Sequence, residues 1–222
     1  MLSFRIGSNI ESNSAGHDMS ALTELYDCIR NCRKCEISKA RTHAVPGEGA
    51  ENAEVMFIGE APGFHEDQQG RPFVGSAGQF LDQLLKSIDL DRKTVYITNV
   101  IKTRPPDNRD PLPQEIINCR PWLDRQLEII KPKMIVTLGR YSMAMFNPGK
   151  TISQIHGTAV KKDGVLYFAM YHPAAALHQG ALRGVIQSDM LKIPGLLAGL
   201  KKEIDSQAHK GEKEETQQLK LL

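Results

Sequence analysis

No run of apolar residues in this chain of 222 approaches the about 18 that a membrane-crossing helix requires. The opening stretch MLSFRIGSNIESNSAGH lacks the charged-then-apolar order of a signal peptide. Both absences point to a soluble, cytoplasmic protein with no membrane partner. Strong charge is missing too: 28 Lys and Arg against 26 Asp and Glu leave a net +2, with a pI of about 8.3. That balance permits nucleic-acid binding without demanding it, so the placement of the charges matters more than their sum. There is no internal repeat. Cysteine is scarce, at four residues, and in a reducing compartment these thiols are expected to be free or metal-bound rather than paired.

What is present fits one domain with a real core, since 41% of the residues are hydrophobic. Residues 1–17 have no sustained periodicity and read as a flexible N-terminus. Residues 205–222 read as a polar, flexible tail, a place for a replication or repair protein to dock. Between them, 18–204 reads as a single domain. Strands are expected at about 54–59, 94–101, 133–139 and 165–171, and helices at about 19–32, 77–88, 114–130, after Gly139, and 181–204 with a break at Pro194. That alternation predicts an α/β fold: a three-layer α/β/α sandwich around a central, mostly parallel, four-stranded sheet. Nothing in it requires more than a monomer.

The stretch GEAPGFHEDQQGRPFVGSAGQFLD, residues 59–82, follows the apolar run Val55 to Ile58 and so places a glycine-rich loop at a strand's carboxyl end. Open α/β sheets bind ligands at that edge. Two further strands deliver polar groups in the same way: one carries Asn99 before the basic loop at 102–109, the other delivers His172 before Pro173. Singly each signal is weak, because a strand-end Asn is usually a turn former and a His before Pro is usually structural. Cys28, Cys32 and Cys35 form C-x3-C-x2-C, a metal-ligand spacing open to zinc or to an iron–sulfur cluster. The same spacing occurs in radical enzymes that use S-adenosylmethionine, but there the motif follows the first strand, and here it precedes it.

GEAPG, GRPFVGSAG, YITNVIKTRPP, PQEIINCRPWL and YHPAA occur in the order and approximate spacing of the family 4 uracil-DNA glycosylases. The resemblance covers about Cys28 to Leu182. It implies hydrolysis of the N-glycosidic bond of uracil in double- or single-stranded DNA, which begins base excision repair and implies association with the nucleoid. A binding protein that keeps the fold without cutting, or an iron–sulfur redox protein, are the other classes compatible with these residues.

Residue by residue, the resemblance implies that Gly59, Glu60 and Ala61 form the loop whose amides meet the base, that Phe73 stacks on it, and that Glu66 guards the C5 edge where thymine carries its methyl. Asn99 would read the Watson–Crick edge, and His172 would donate to the uracil O2. Catalysis is thus assigned to Asn99, His172 and Glu60. Ala61 stands where other families of the superfamily place a water-activating Asp or Asn, which leaves Glu60 as the candidate for that task. Leu177 is the expected wedge into the duplex, with Lys102, Arg104 and Arg109 on phosphates. A 4Fe-4S cluster is implied on Cys32, Cys35 and Cys119. The family's remaining cysteine position is Thr103, a poor iron ligand, so Cys28 is expected to complete the set.

Overall fold

A computed structural model describes residues 20–203 and Ser206. The two flexible termini expected from sequence lie outside or at the limits of these residues. Helix α1 spans Ala21–Asn31, and the Ser20 hydroxyl caps it by accepting from the Thr23 amide at 3.2 Å. Then follow β1 (Glu48–Gly49), β2 (Val55–Gly59), α2 (Phe64–Gln69), α3 (Ser76–Lys86), β3 (Tyr96–Asn99), α4 (Pro113–Ile130), β4 (Met134–Leu138), α5 (Arg140–Phe146), α6 (Ile152–Ile155), β5 (Ala159–Lys162), β6 (Val165–Met170), α7 (Ala175–His178) and α8 (Ala181–Met190). A further helical stretch runs over 193–203. The break before it falls at Leu191 and Lys192, so Pro194 sits in the first turn of the new helix, where its missing N–H costs nothing.

Among the described residues the sheet has six strands in the order β1-β3-β2-β4-β6-β5, two more than the sequence led us to expect. The four predicted strands form its parallel centre, and β1 and β5 pair antiparallel at the two edges. Alternation along the central strands sorts the core into two layers. Val55, Phe57, Ile97 and Val136 pack with Phe80, Leu81 and Leu84 of α3 and Ile186 and Met190 of α8. Met56, Ile58, Tyr96 and Ile135 pack with Leu22, Leu25 and Ile29 of α1 and Leu123 and Ile130 of α4. Each fully buried Leu or Phe contributes about 1.5–3 kcal/mol, so truncating Leu84 would cost about 2–5 kcal/mol.

This topology builds the site. The chain leaves β2 toward β3 on one side and later returns to β4 on the other, so a crevice opens at the carboxyl ends of the central strands. Gly59 and Asn99 pair in register across β2 and β3, and Leu138 pairs with Met170 across β4 and β6. The loops that begin at Gly59, Asn99, Gly139 and Tyr171 therefore emerge side by side.

Candidate active site

Phe73 occupies this crevice on a constrained backbone. Its φ of 52° is left-handed, a conformation that is uncommon for an aromatic residue. Three contacts hold it there. Arg92 donates to the Phe73 carbonyl at 2.9 Å and to that of Pro72. Glu66 Oε1 accepts from the amides of Val74 and Gly75, both at 2.8 Å, while its Oε2 accepts from Gly63 at 3.1 Å. Gly78 lies directly under the Phe73 peptide, and a Cβ there would overlap its carbonyl group. Gly59 works similarly from below, since its missing Cβ leaves room for the Asn99 amide and for Phe73 Cζ, which would stand at 2.6 Å.

Asn99 is 1% exposed, and among the described residues its Oδ1 has no hydrogen-bond partner. A buried acceptor left unpaired costs about 1–3 kcal/mol, so this oxygen marks a place where a donor is missing. Behind it, Lys102 Nζ donates to the Asn99 carbonyl and to Gln126 Oε1, both at 2.7 Å, and to Thr98 Oγ1 at 2.6 Å. Those three acceptors match the three protons of an ammonium, although burial pulls the amine down to about 7. Lys102 is therefore no phosphate contact, contrary to the sequence reading: it is 1% exposed and ties down the end of β3.

His172 faces Phe73, with ring centroids 5.4 Å apart and planes inclined by 23°. Its Nδ1 accepts from the Ala174 amide at 3.1 Å, which leaves Nε2 to carry the proton of the neutral ring. Desolvation lowers the imidazole to about 4, against a smaller opposing pull from Glu66. At neutral pH His172 is a neutral Nε2–H donor.

Ala61, Glu66, Phe73, Asn99 and His172 line one cavity of about 360 Å³. Gly63, Ala77, Asn108, Ala174 and His178 share it, and sequence reasoning missed them as site residues. Asn108 had a local signal: in the Asp107-Asn108 pair both residues adopt left-handed φ, 53° and 55°, as Asp and Asn do more readily than most. Glu60 does not line the cavity. Its Oε1 lies 3.5 Å from the Tyr141 amide at the start of α5, and burial raises its pKa. A Cβ on Gly139 would meet both this carboxylate and His172 Cβ, so the glycine leaves room for the two where α5 begins.

On the outer rim Leu177 is 48% exposed on α7, immediately beyond His172. Arg104 lies over the exposed ring of Phe64 at 5.3 Å and donates to Asn108 Oδ1 at 2.7 Å. Arg109 is held by Glu115, through Nη2 at 2.6 Å and Nη1 at 3.0 Å, so it pins the start of α4.

The cysteines assemble only in part. Burial pushes the Cys35 thiol up to about 11, with Cys119 and Cys32 as neighbours adding to the effect. Cys28 is exposed on α1, and among the described residues no three His, Cys, Asp or Glu side chains converge closely enough to hold a metal ion. Thr103 is buried and accepts from Arg41 at 2.9 Å, while Arg41 also donates to the Cys32 carbonyl at 2.8 Å. As placed, the set Cys28, Cys32, Cys35 and Cys119 does not fit a four-thiolate cluster. Arg41 cross-links the corner where a fourth ligand would stand.

A sequence profile described as the Uracil DNA glycosylase superfamily matches residues 46–189, the span that contains every cavity-lining residue. A type-4 uracil-DNA glycosylase of Archaeoglobus fulgidus is 48% identical over 192 residues, covering 82% of this chain and 96% of the relative. One from Sulfurisphaera tokodaii is 47% identical over 185 residues, covering 79% and 84%. A type-5 uracil-DNA glycosylase of Pyrobaculum aerophilum is more distant, at 35% over 171 residues. The chain belongs to the uracil DNA glycosylase superfamily, within its type-4 branch.

Proposed function

We propose that this protein excises uracil from DNA by hydrolysing the bond between uracil N1 and the deoxyribose C1′. The observation that carries the reading is the unpaired, buried Oδ1 of Asn99, a residue that lines a cavity also offering an aromatic face and a neutral imidazole donor. Uracil presents an N3–H donor beside the O4 acceptor, which suits a carboxamide whose oxygen awaits a donor. Cytosine presents the reverse at both positions. An amide in this orientation leaves the wrong base unpaired, a mismatch that supports discrimination of about 10⁴ or more.

Reaching the base requires extruding it from the duplex. Phe73 returns about 1–3 kcal/mol of the lost stacking, and exposed Leu177 is the wedge beside the emptied position. As the N1–C1′ bond breaks, its electron pair goes to the uracil ring, a water oxygen bonds to C1′, and the proton that water loses is balanced by the one the released uracil anion takes up. Negative charge then grows on the uracil oxygens, where the Nε2–H of His172 donates; one such donor is worth about 10²–10³ in rate. Glu66 closes the cavity near the C5 edge, its carboxylate immobilised by three amides. Glu60 braces its loop against the start of α5, and since it does not line the cavity it gains no support as the water-activating base. Arg104 is the phosphate contact on this rim. No step depends on an iron–sulfur cluster.

The test is incubation of the full chain, in molar excess, with a uracil-containing oligonucleotide, followed by alkali. Strand scission at the uracil position supports the reading, with loss in Asn99→Ala and His172→Ala. Intact DNA after prolonged incubation, with binding retained, would instead make this a uracil-binding protein.

A further inference from the structure

A second cleft, of about 640 Å³, lies at the other end of α2 from the base cavity. Its cationic lining is Arg30, Arg33, Lys39, Arg41 and Arg71, and among the described residues no Asp or Glu lines it. Arg30, Lys39 and Arg71 do pair with Asp27, Glu36 and Glu48, but these acids lie outside the cleft, and among the described residues Arg33 has no ion-pair partner. A separate observation marks the cleft as a binding site. Ser38 lines it, is only 4% exposed, and has a hydroxyl with no hydrogen-bond partner among the described residues. A buried O–H without an acceptor, set among cations, calls for an anionic oxygen.

We propose that this cleft holds the phosphate backbone of the same DNA a few nucleotides from the extruded uracil, an inference that rests on the glycosylase reading. The link is α2. Gly63 and Glu66, at its start, line the base cavity, and Gln69, Gly70 and Arg71, at its end, line the cleft. Six helical residues span about 9 Å. With a rise of about 3.4 Å per nucleotide along a strand, the cleft meets phosphates about three positions away. The two sites are braced as a unit: the Thr42 amide donates to both Asp67 carboxylate oxygens at 3.1 Å, and Gln68 Nε2 donates to Thr42 Oγ1 at 2.9 Å. Ser38 Oγ donates to a phosphate oxygen, and Arg33 and Lys39 supply charge from the rim.

The experiment compares the full chain with Arg33→Ala/Lys39→Ala and with Ser38→Ala on two substrates: a uracil-containing duplex of two helical turns, and a trinucleotide with central uracil that is too short to reach the cleft. On the duplex, KM is expected to rise in both variants, and the slope of log affinity against log salt to shrink by about 2 in the double variant. On the trinucleotide, kcat and KM are expected to stay as in the unaltered chain. An unchanged salt slope, or equal losses on both substrates, overturns the proposal. Ser38→Ala should keep or raise the melting temperature, and a fall in melting temperature without a change in duplex KM also overturns it. Uracil release from the trinucleotide by the unaltered chain tests the glycosylase reading separately. Should that fail, the same salt series on uncleaved duplex still decides the cleft.

Discussion

Replacing Asn99 by Ala should separate function from stability. The side chain offers one acceptor and one donor to the base edge, and removing both leaves N3–H and O4 of a flipped uracil unpaired in the cavity. At about 1–3 kcal/mol for each unpaired group, the loss is about 2–6 kcal/mol of transition-state stabilisation. At about 1.4 kcal/mol per factor of ten, kcat/KM should fall between about 30-fold and about 10⁴-fold. Stability should move little or upward, because Oδ1 is unpaired in the free protein and its removal relieves a standing penalty. The Lys102 bond survives, since it is made to the Asn99 backbone carbonyl. Single-turnover uracil release and thermal unfolding of the same preparations give both numbers. A melting temperature that drops by several degrees, with activity falling only in proportion to unfolded protein, would show Asn99 to be a structural residue.

The lowered pKa of His172 fixes the sign of one pH effect. With the imidazole near 4 folded and about 6.5 unfolded, the unfolded chain binds more protons between those values, so this group's contribution favours folding above about pH 6.5 and is lost as the pH falls toward 4. The acid limb of kcat should accordingly show no step near 6.5 that vanishes in His172→Gln, and finding that step would contradict a neutral donor. Gly78→Ala should displace the Phe73 peptide, costing about 1–3 kcal/mol of stability and about 100-fold or more in kcat/KM; unaltered kinetics would mean that Phe73 is not held from below. For the cysteines, Cys28→Ala is expected to change stability by less than about 0.5 kcal/mol and to leave any absorption near 400 nm unchanged, whereas Cys119→Ala, in the core, should be destabilising. Bleaching by Cys28→Ala in anaerobically prepared protein would restore that thiol as a ligand.

The four central strands were legible because strands covered on both faces read as short continuous apolar runs, as in VMFI and MIVTL. The edge strands were not. β1 has two residues, too few for any period, and exists because Gly49 lets the backbone lie against Val95. β5 reads AVKK, too short and polar to stand out as an apolar run, and its clue is the following Asp163-Gly164, both left-handed, a hairpin signal. In the site, Phe73, Asn99 and His172 follow from strand ends that register sets side by side. Lys102 misled because a lysine in a basic, proline-rich loop usually faces solvent, whereas here three acceptors from β3 and α4 draw it inside. Cys28 misled for a related reason: helical spacing sets which turn a thiol occupies, not whether the partner loops reach it.

The central claim is that an orphaned Asn99 amide in this crevice reads uracil. Its most direct test is the single-turnover rate of base release from two duplexes that differ only in carrying uracil or cytosine opposite guanine. Uracil is expected to be released with cytosine slower by about 10⁴ or more. Release of both bases at comparable rates, or of neither, would contradict the account.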